Sequence, residues 1–287
     1  MKTLKVLLVL VAIGFMSCES KSTSDDDLSA SSTVNSEVIV EDIESVLDNV
    51  SIYSDASFGI GITSKTVSSS KEAEAVNKRG RSGFFKDCAD ITIEIANGTI
   101  TTTIAFSGEC EDYDGNIITG TIKKIRAISD TSKERTLIIE NLTINGYVIN
   151  GTKTYFYTTS NDNGNPALTS SVDISVETDE GTITKVGTRT IEITAGADTD
   201  SCYDDEKTIT GSSTITLANG ATFTVEITTP LIQPAGCRYI ASGVKQYTNA
   251  NGTVTVDYGD GTCDNIATKT ALDGTVTELQ IGKKRHH

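Results

Sequence analysis

The chain is expected to be an all-β protein on three observations. Apolar and polar residues alternate with period two over long stretches. Asn-Gly and Asp-Gly pairs recur between those stretches, and threonine, isoleucine and valine fill them. Alternation marks a strand with one buried and one wet face, and β-branched residues suit that pleated surface. Asn-Gly and Asp-Gly supply the positive φ of a tight hairpin turn. The expected architecture is an antiparallel meander of roughly a dozen strands with one N-terminal amphipathic helix. Its strands form a strongly curved sheet or a sandwich, and a closed barrel is the alternative.

The helix comes first. Ile39, Ile43, Val46, Leu47 and Val50 recur at helical spacing, with Glu41, Asp42, Glu44 and Asp48 between them. This predicts a helix from Glu37 to Val50 that lays its apolar stripe on the sheet. Residues 51–83 are rich in Ser, Gly and Lys and lack periodicity, and Lys78-Arg79-Gly80-Arg81 within them reads as a solvated loop. From about Phe84 the period becomes two, as in Ile91-Thr92-Ile93-Glu94-Ile95, Thr222-Phe223-Thr224-Val225-Glu226-Ile227 and Thr253-Val254-Thr255-Val256. Asn-Gly falls at 97–98, 145–146, 150–151, 163–164, 219–220 and 251–252, and Asp-Gly at 114–115, 260–261 and 273–274. The short connections make antiparallel neighbours. The outward residues are mostly Thr, Ser and charged, which argues against an outer-membrane barrel with its apolar band.

The first thirty residues carry an address. Lys2 and Lys5 precede an apolar run from Val6 to Met16, then Ser17-Cys18. That run is too short for a membrane span, which needs about 20 apolar residues, and fits a secretory signal. Phe15-Met16-Ser17-Cys18 resembles the lipobox of bacterial lipoproteins, whose cysteine is diacylated and becomes the mature N-terminus. Two or three acyl chains, at ~0.8 kcal/mol per buried CH₂, exceed what stable anchoring requires. The polar run after Cys18 is expected to be a flexible tether. Within it Ser24-Asp25-Asp26-Asp27 resembles the acidic export signal of surface lipoproteins in Bacteroidota-type bacteria. The expected divisions are a signal peptide (1–17), an acidic tether (18–36), a helix with its polar connecting segment (37–83) and a β domain (84–283).

Composition narrows the partners. The chain has 287 residues and a net charge of −15. Such a field repels nucleic acid and anionic membrane surfaces, so the membrane is expected to be met through the lipid anchor alone. Tryptophan is absent, which lowers the prospect of stacked sugar rings, although nine tyrosines remain. His286 and His287 are the chain's only histidines and stand at its C-terminal end.

Five cysteines lie in the body, and an exported protein is expected to pair them. In an antiparallel hairpin the numbers of facing residues have a constant sum. Cys237 and Cys263 would face each other across a loop centred on Ala250, beside Asn251-Gly252. Cys88 and Cys110 flank Asn97-Gly98 but miss that turn's register by three, so their pairing requires a bulge near Ser107-Gly108. Cys202 is left over among carboxylates that raise its pKa and make it a poor nucleophile.

The body, about 84–281, resembles a family of Bacteroidota-type surface lipoproteins of unknown function. The likeness rests on the cysteine-opened strand, the second cysteine before an Asp-Gly turn and Asn145-Gly146-Tyr147-Val148-Ile149-Asn150-Gly151-Thr152. It continues through Ile227-Thr228-Thr229-Pro230-Leu231 to the closing Tyr258-Gly259-Asp260-Gly261-Thr262-Cys263-Asp264-Asn265. The resemblance implies fold and address, not chemistry.

Catalytic signals are sparse. No histidine lies inside the body to serve a nucleophile, zinc ligands at spacing are missing, and no Gly-rich phosphate loop opens a helix. No catalytic residue is expected. A pair of carboxylates for glycoside hydrolysis cannot be placed from sequence. Asp112, Asp114 and Asn116 surround a Gly turn and are the candidate calcium ligands, with Asp257, Asp260 and Asp264 and the run Asp198 to Glu206 as further acidic clusters; no other cofactor is expected. The expectation is a lipid-anchored outer-membrane lipoprotein facing the cell exterior, structural or binding in role, with a protein or glycan partner. The alternatives are a carrier of a hydrophobic or glycan ligand in the curve of the sheet and a carboxylate-dependent hydrolase.

Overall fold

A computed structural model describes residues 36–37, 39–51, 88–112, 115–128, 134–199 and 204–281. Cys18, Ser24, Asp25, Asp26, Asp27, Lys78 to Arg81, Asp114, Cys202, His286 and His287 lie outside the described residues. The helix α1 runs over 39–51, with Ser36 and Glu37 also helical before it. Among the described residues thirteen strands follow: β1 (Ala89–Ala96), β2 (Thr99–Glu111), β3 (Ile117–Ala127), β4 (Arg135–Ile144), β5 (Tyr147–Thr158), β6 (Ala167–Thr178) and β7 (Gly181–Ala195). Then come β8 (Glu206–Thr216), β9 (Thr222–Gln233), β10 (Ser242–Asn249), β11 (Gly252–Asp260), β12 (Ile266–Thr270) and β13 (Val276–Gln280).

The strands form one antiparallel sheet in chain order, each bonded to the strand before and after it. The meander therefore stands as expected. The sandwich and the closed barrel do not, because among the described residues there is a single sheet and β1 and β13 do not pair. A flat sheet of this size would be about 58 Å wide at ~4.8 Å per strand, against a helix about 10–12 Å across. Yet residues from β2 to β12 join one apolar cluster with Val40, Ile43, Val46, Leu47 and Val50 of α1. The sheet reaches the helix from so many strands only by curling around it.

Local chemistry explains the turns. Asn97 and Gly98 both have positive φ, as do Asn145 and Gly146, and each pair forms a two-residue hairpin turn. Asn150-Gly151 makes no turn; it lies inside β5. A Cβ on Gly151 would stand 2.1 Å from the Asp173 carbonyl oxygen, and its φ is 134°. Glycine here lets β6 approach closely. The β10–β11 hairpin turns on Ala250-Asn251, with Asn249 opposite Gly252, so Gly252 begins the next strand.

Both cysteine pairs lie at disulfide distance, with Cα atoms 5.4 Å apart for Cys88–Cys110 and 5.7 Å for Cys237–Cys263. The bulge required near Ser107-Gly108 exists. The β2–β3 register shifts between Phe106 and Cys110, Gly108 has φ 67°, and the Ser107 amide donates to the Cys88 carbonyl at 3.0 Å. Cys237 and Cys263 lie in the connections beyond the β10–β11 ladder, not opposite each other within it. Each bridge closes a loop of twenty-odd residues, worth about 3 kcal/mol in chain entropy. Replacing both cysteines of either pair by serine is expected to lower the urea-unfolding free energy by about that amount. An unchanged midpoint would mean that the pair is not bridged.

Candidate functional site

The helix enters the sheet with acids on its inner side. Glu37 is 2% exposed and Glu44 is buried, and Ser45 is the one residue of 39–51 that is exposed as a whole. Carboxylates in such a place must be paired or lose their charge. The sheet supplies cations at positions whose parity points inward. Lys153 shares that parity with Ile149 and Tyr155 on β5, Lys185 with Ile183 on β7, and Lys245 with Tyr247 on β10.

The pairs run along the helix in order. Lys245 Nζ lies 2.6 Å from Glu41 and 3.4 Å from Glu37. Lys185 pairs with Glu44. Lys153, fully buried, lies 3.2 Å from Glu44 and 2.6 Å from Asp48. Arg189 pairs with Asp48 at 2.5 Å, and the Tyr155 hydroxyl donates to Asp48 at 2.7 Å. Lys124 of β3 donates to the Ser51 carbonyl at 3.3 Å. A cation beside carbonyls toward the C-terminal side of the described helix suits its dipole. The helix thus crosses the strands, from β10 at its start to β3 at its end.

This setting drives two carboxylates apart. Burial, with Glu41 beside it, raises Glu37 to about 7 against the pull of Lys245 and Tyr247. Burial would also raise Glu44, but Lys153 and Lys185 outweigh it and hold that group at about 2. Burial and the neighbouring Asp48 push the Tyr155 hydroxyl well above its usual range, so it stays a donor. Lys245 remains protonated because Glu41 and Glu37 outweigh its burial. Between Glu37, Glu41 and Glu44 on one side and Lys185, Arg189 and Lys245 on the other is a cavity of about 50 Å³. That is room for about four water molecules, far below the roughly 300–1,000 Å³ of a ligand pocket.

Charged strand residues are expected to face outward, and the inward lysines depart from that expectation; parity with Ile149 and Tyr155 marks Lys153 as inward. The described acidic residues singled out in the sequence make contacts within their own turns. Asp112 is buried and accepts from the Asn116 amide and from Asn116 Nδ2, both at 2.8 Å. Asn116 in turn accepts from Asn145 Nδ2 at 3.0 Å. Asp112 thereby ties the ends of the β2–β3 hairpin, and Asp114, the third candidate ligand, is not described. Asp257, Asp260 and Asp264 each accept a backbone amide two residues on, at 2.9–3.0 Å. These are turn contacts. Among the described residues no group of three His, Cys, Asp or Glu side chains is placed to hold a metal ion.

Comparison with protein-family profiles, with curated proteins and with solved structures returned no match.

Two tests address the buried lattice. Lys153→Met removes the buried cation shared by Glu44 and Asp48, leaving Lys185 to the one and Arg189 to the other, and is expected to cost about 3 kcal/mol in urea unfolding. Lys123→Met removes an exposed pair with Glu140 and is expected to cost under about 1 kcal/mol. Equal effects would show that the inner pairs contribute no more than a surface contact.

The second test is pH. Between pH 4.5 and 7 the folded chain keeps the Glu37 proton that the unfolded chain has released. This contribution is complete below pH 4.5 and is lost as pH rises through 7. Glu44 contributes in the opposite sense, fully above pH 4.5 and less as pH falls toward 2. Wild type is therefore expected to lose stability relative to Glu37→Gln between pH 5 and 8, on the order of 3 kcal/mol. Parallel Tm curves for the two proteins would sink that assignment.

Proposed function

We propose that the chain is a lipid-anchored outer-membrane lipoprotein, held on the cell exterior through Cys18, with a structural or binding role. The observation that carries this reading is the address: Lys2 and Lys5, the apolar run Val6–Met16, Ser17-Cys18, then Ser24-Asp25-Asp26-Asp27. The resemblance of the body to Bacteroidota-type surface lipoproteins supports the same location. Among the described residues no helix is long and apolar enough to cross a membrane. The role needs no cofactor; calcium at Asp112 would compete with Asn116 for both carboxylate oxygens.

The inner face of the sheet is occupied by α1, so a carrier of a hydrophobic ligand would have to expel a helix held by buried ion pairs. This turns the binding role toward the outer face. One observation favours a hydrolase: Glu37 near 7 and Glu44 near 2 line a single cavity, the separation of protonation states that an acid and a base require. Against it stands the size of the cavity, about 50 Å³, which has room for water molecules but not for a sugar ring.

Proteinase added to intact cells is expected to remove the wild-type protein without lysis. Cys18→Ala is expected to lose labelled palmitate and move to the soluble fraction. Protection from the proteinase would sink the exterior location, and an alanine variant that stays in the membrane would sink the lipid anchor.

A further inference from the structure

The outer face of the sheet between β5 and β9 differs from an ordinary protein surface. The register aligns outward side chains in rows across the strands. One row is Phe156, Thr169, Thr190 and Thr210. The next is Thr154, Ser171, Thr188, Ser212 and Glu226, and the third Thr152, Asp173, Val186, Thr214 and Thr224. These rows hold no lysine or arginine, and Asp173 and Glu226 are their only carboxylates. Protein surfaces are usually about a quarter to a third charged. Here hydroxyls and methyls replace the charges, in a chain whose net charge is −15.

Two apolar side chains break the hydroxyl field. Phe156 is 42% exposed and Val186 is 53% exposed. Val186 borders an open depression of about 470 Å³, lined on the outer face by Thr188, Ser212, Thr214, Thr224 and Glu226. The space follows from the small residues around it, with Gly187 opposite Ser213 beneath. A threonine hydroxyl gives one donor and two acceptors beside a methyl group. A sugar ring presents the complement, hydroxyls at its rim and C–H groups on its faces.

We propose that this face binds a neutral polysaccharide. Its rings pack on Phe156 and Val186, and its hydroxyls bond Thr188, Thr190 and Ser212. The rows repeat about every 4.8 Å across strands and about 6.7 Å along them, so the ligand is a chain that spans several strands. Asp173, Glu226 and the acidic body repel polymers that carry carboxylate, sulfate or phosphate. A protein partner is the poorer fit, because protein interfaces have an apolar core and this face has two separated apolar side chains. The proposal rests on the outward-facing binding role given above.

Purified full-length Cys18→Ala protein is run by affinity electrophoresis through gels containing dextran, laminarin, xylan or galactomannan, with alginate as the anionic comparison. At least one neutral polymer is expected to retard it, and alginate to leave it unretarded. Phe156→Ala is expected to weaken the interaction about tenfold, and Thr188→Val with Ser212→Ala about five- to tenfold. The second variant preserves side-chain shape, so its fold is expected to be intact, which its Tm checks. Thr101→Val and Thr255→Val, outward but outside the patch, are expected to bind as wild type. The proposal is overturned if no neutral polymer retards the protein, if alginate retards it more, or if both patch variants bind as wild type. The measurement is made in solution. Failure here leaves anchoring and exposure standing, and a protease result that places the protein inside the cell leaves the glycan result standing.

Discussion

The fold depends on buried charge shared between one helix and one sheet. Glu37 and Glu44 could not enter an apolar groove alone, and Lys153 could not sit fully buried without acids beside it. Each group is tolerated because the other is present. The apolar stripe of α1 supplies area but little direction, since Val40, Ile43, Leu47 and Val50 could pack on a β-branched surface in more than one register. The ion pairs set the direction: Glu37 and Glu41 go to β10, Glu44 to β7 and β5, Asp48 to β5 and β7, and the helix end to β3. They also give the sheet an axis to curl around.

The result inverts the usual placement of polar chemistry. Ion pairs lie inside, between helix and sheet, while the middle of the outer face is hydroxyl and nearly uncharged. The two cysteine pairs occupy opposite ends of the strand order. Cys88–Cys110 ties the start of β1 to the end of β2, and Cys237–Cys263 ties the connection after β9 to the one after β11. A sheet that closed on itself would hold its margins by hydrogen bonds. This sheet does not close, and covalent ties stand near both margins.

Much of this was legible in the residues. Strands such as β1 and β9 were plain because a Thr-Ile or Thr-Val alternation over a half-buried sheet leaves little else for the chain to do. The helix was plain for the same reason at a period of 3.6. The bulge beside Cys110 was legible because only extra residues in β2 reconcile that cysteine with the turn at Asn97-Gly98. Asn150-Gly151 was misread, since the pair that makes a turn also lets two strands approach, and only the neighbouring strand decides which. The inward lysines were readable from parity but not their partners. No rule of local spacing relates a glutamate on a helix to a lysine two hundred residues later. The oxygen cluster at Asp112 is ambiguous in sequence, because the side chains that tie a hairpin and those that hold calcium are the same ones.

The meander makes the order of assembly unequal along the chain. Every strand pairs with its sequence neighbour, so hairpins form by short loop closures, the fast kind of contact. The helix is the exception. Its contact between Glu41 and Lys245 spans 204 residues, and that between Glu44 and Lys185 spans 141. A chain made from its N-terminus presents the acidic helix first and the lysine that seats its leading end almost last. Until β10 arrives, Glu44 and Asp48 have their partners on β5 and β7, but the leading end of the helix, with Glu37 and Glu41, lacks the cation that Lys245 supplies. The protein therefore becomes fully native only near the end of its own synthesis, and a chain cut before β10 keeps a helix with nowhere to place Glu37.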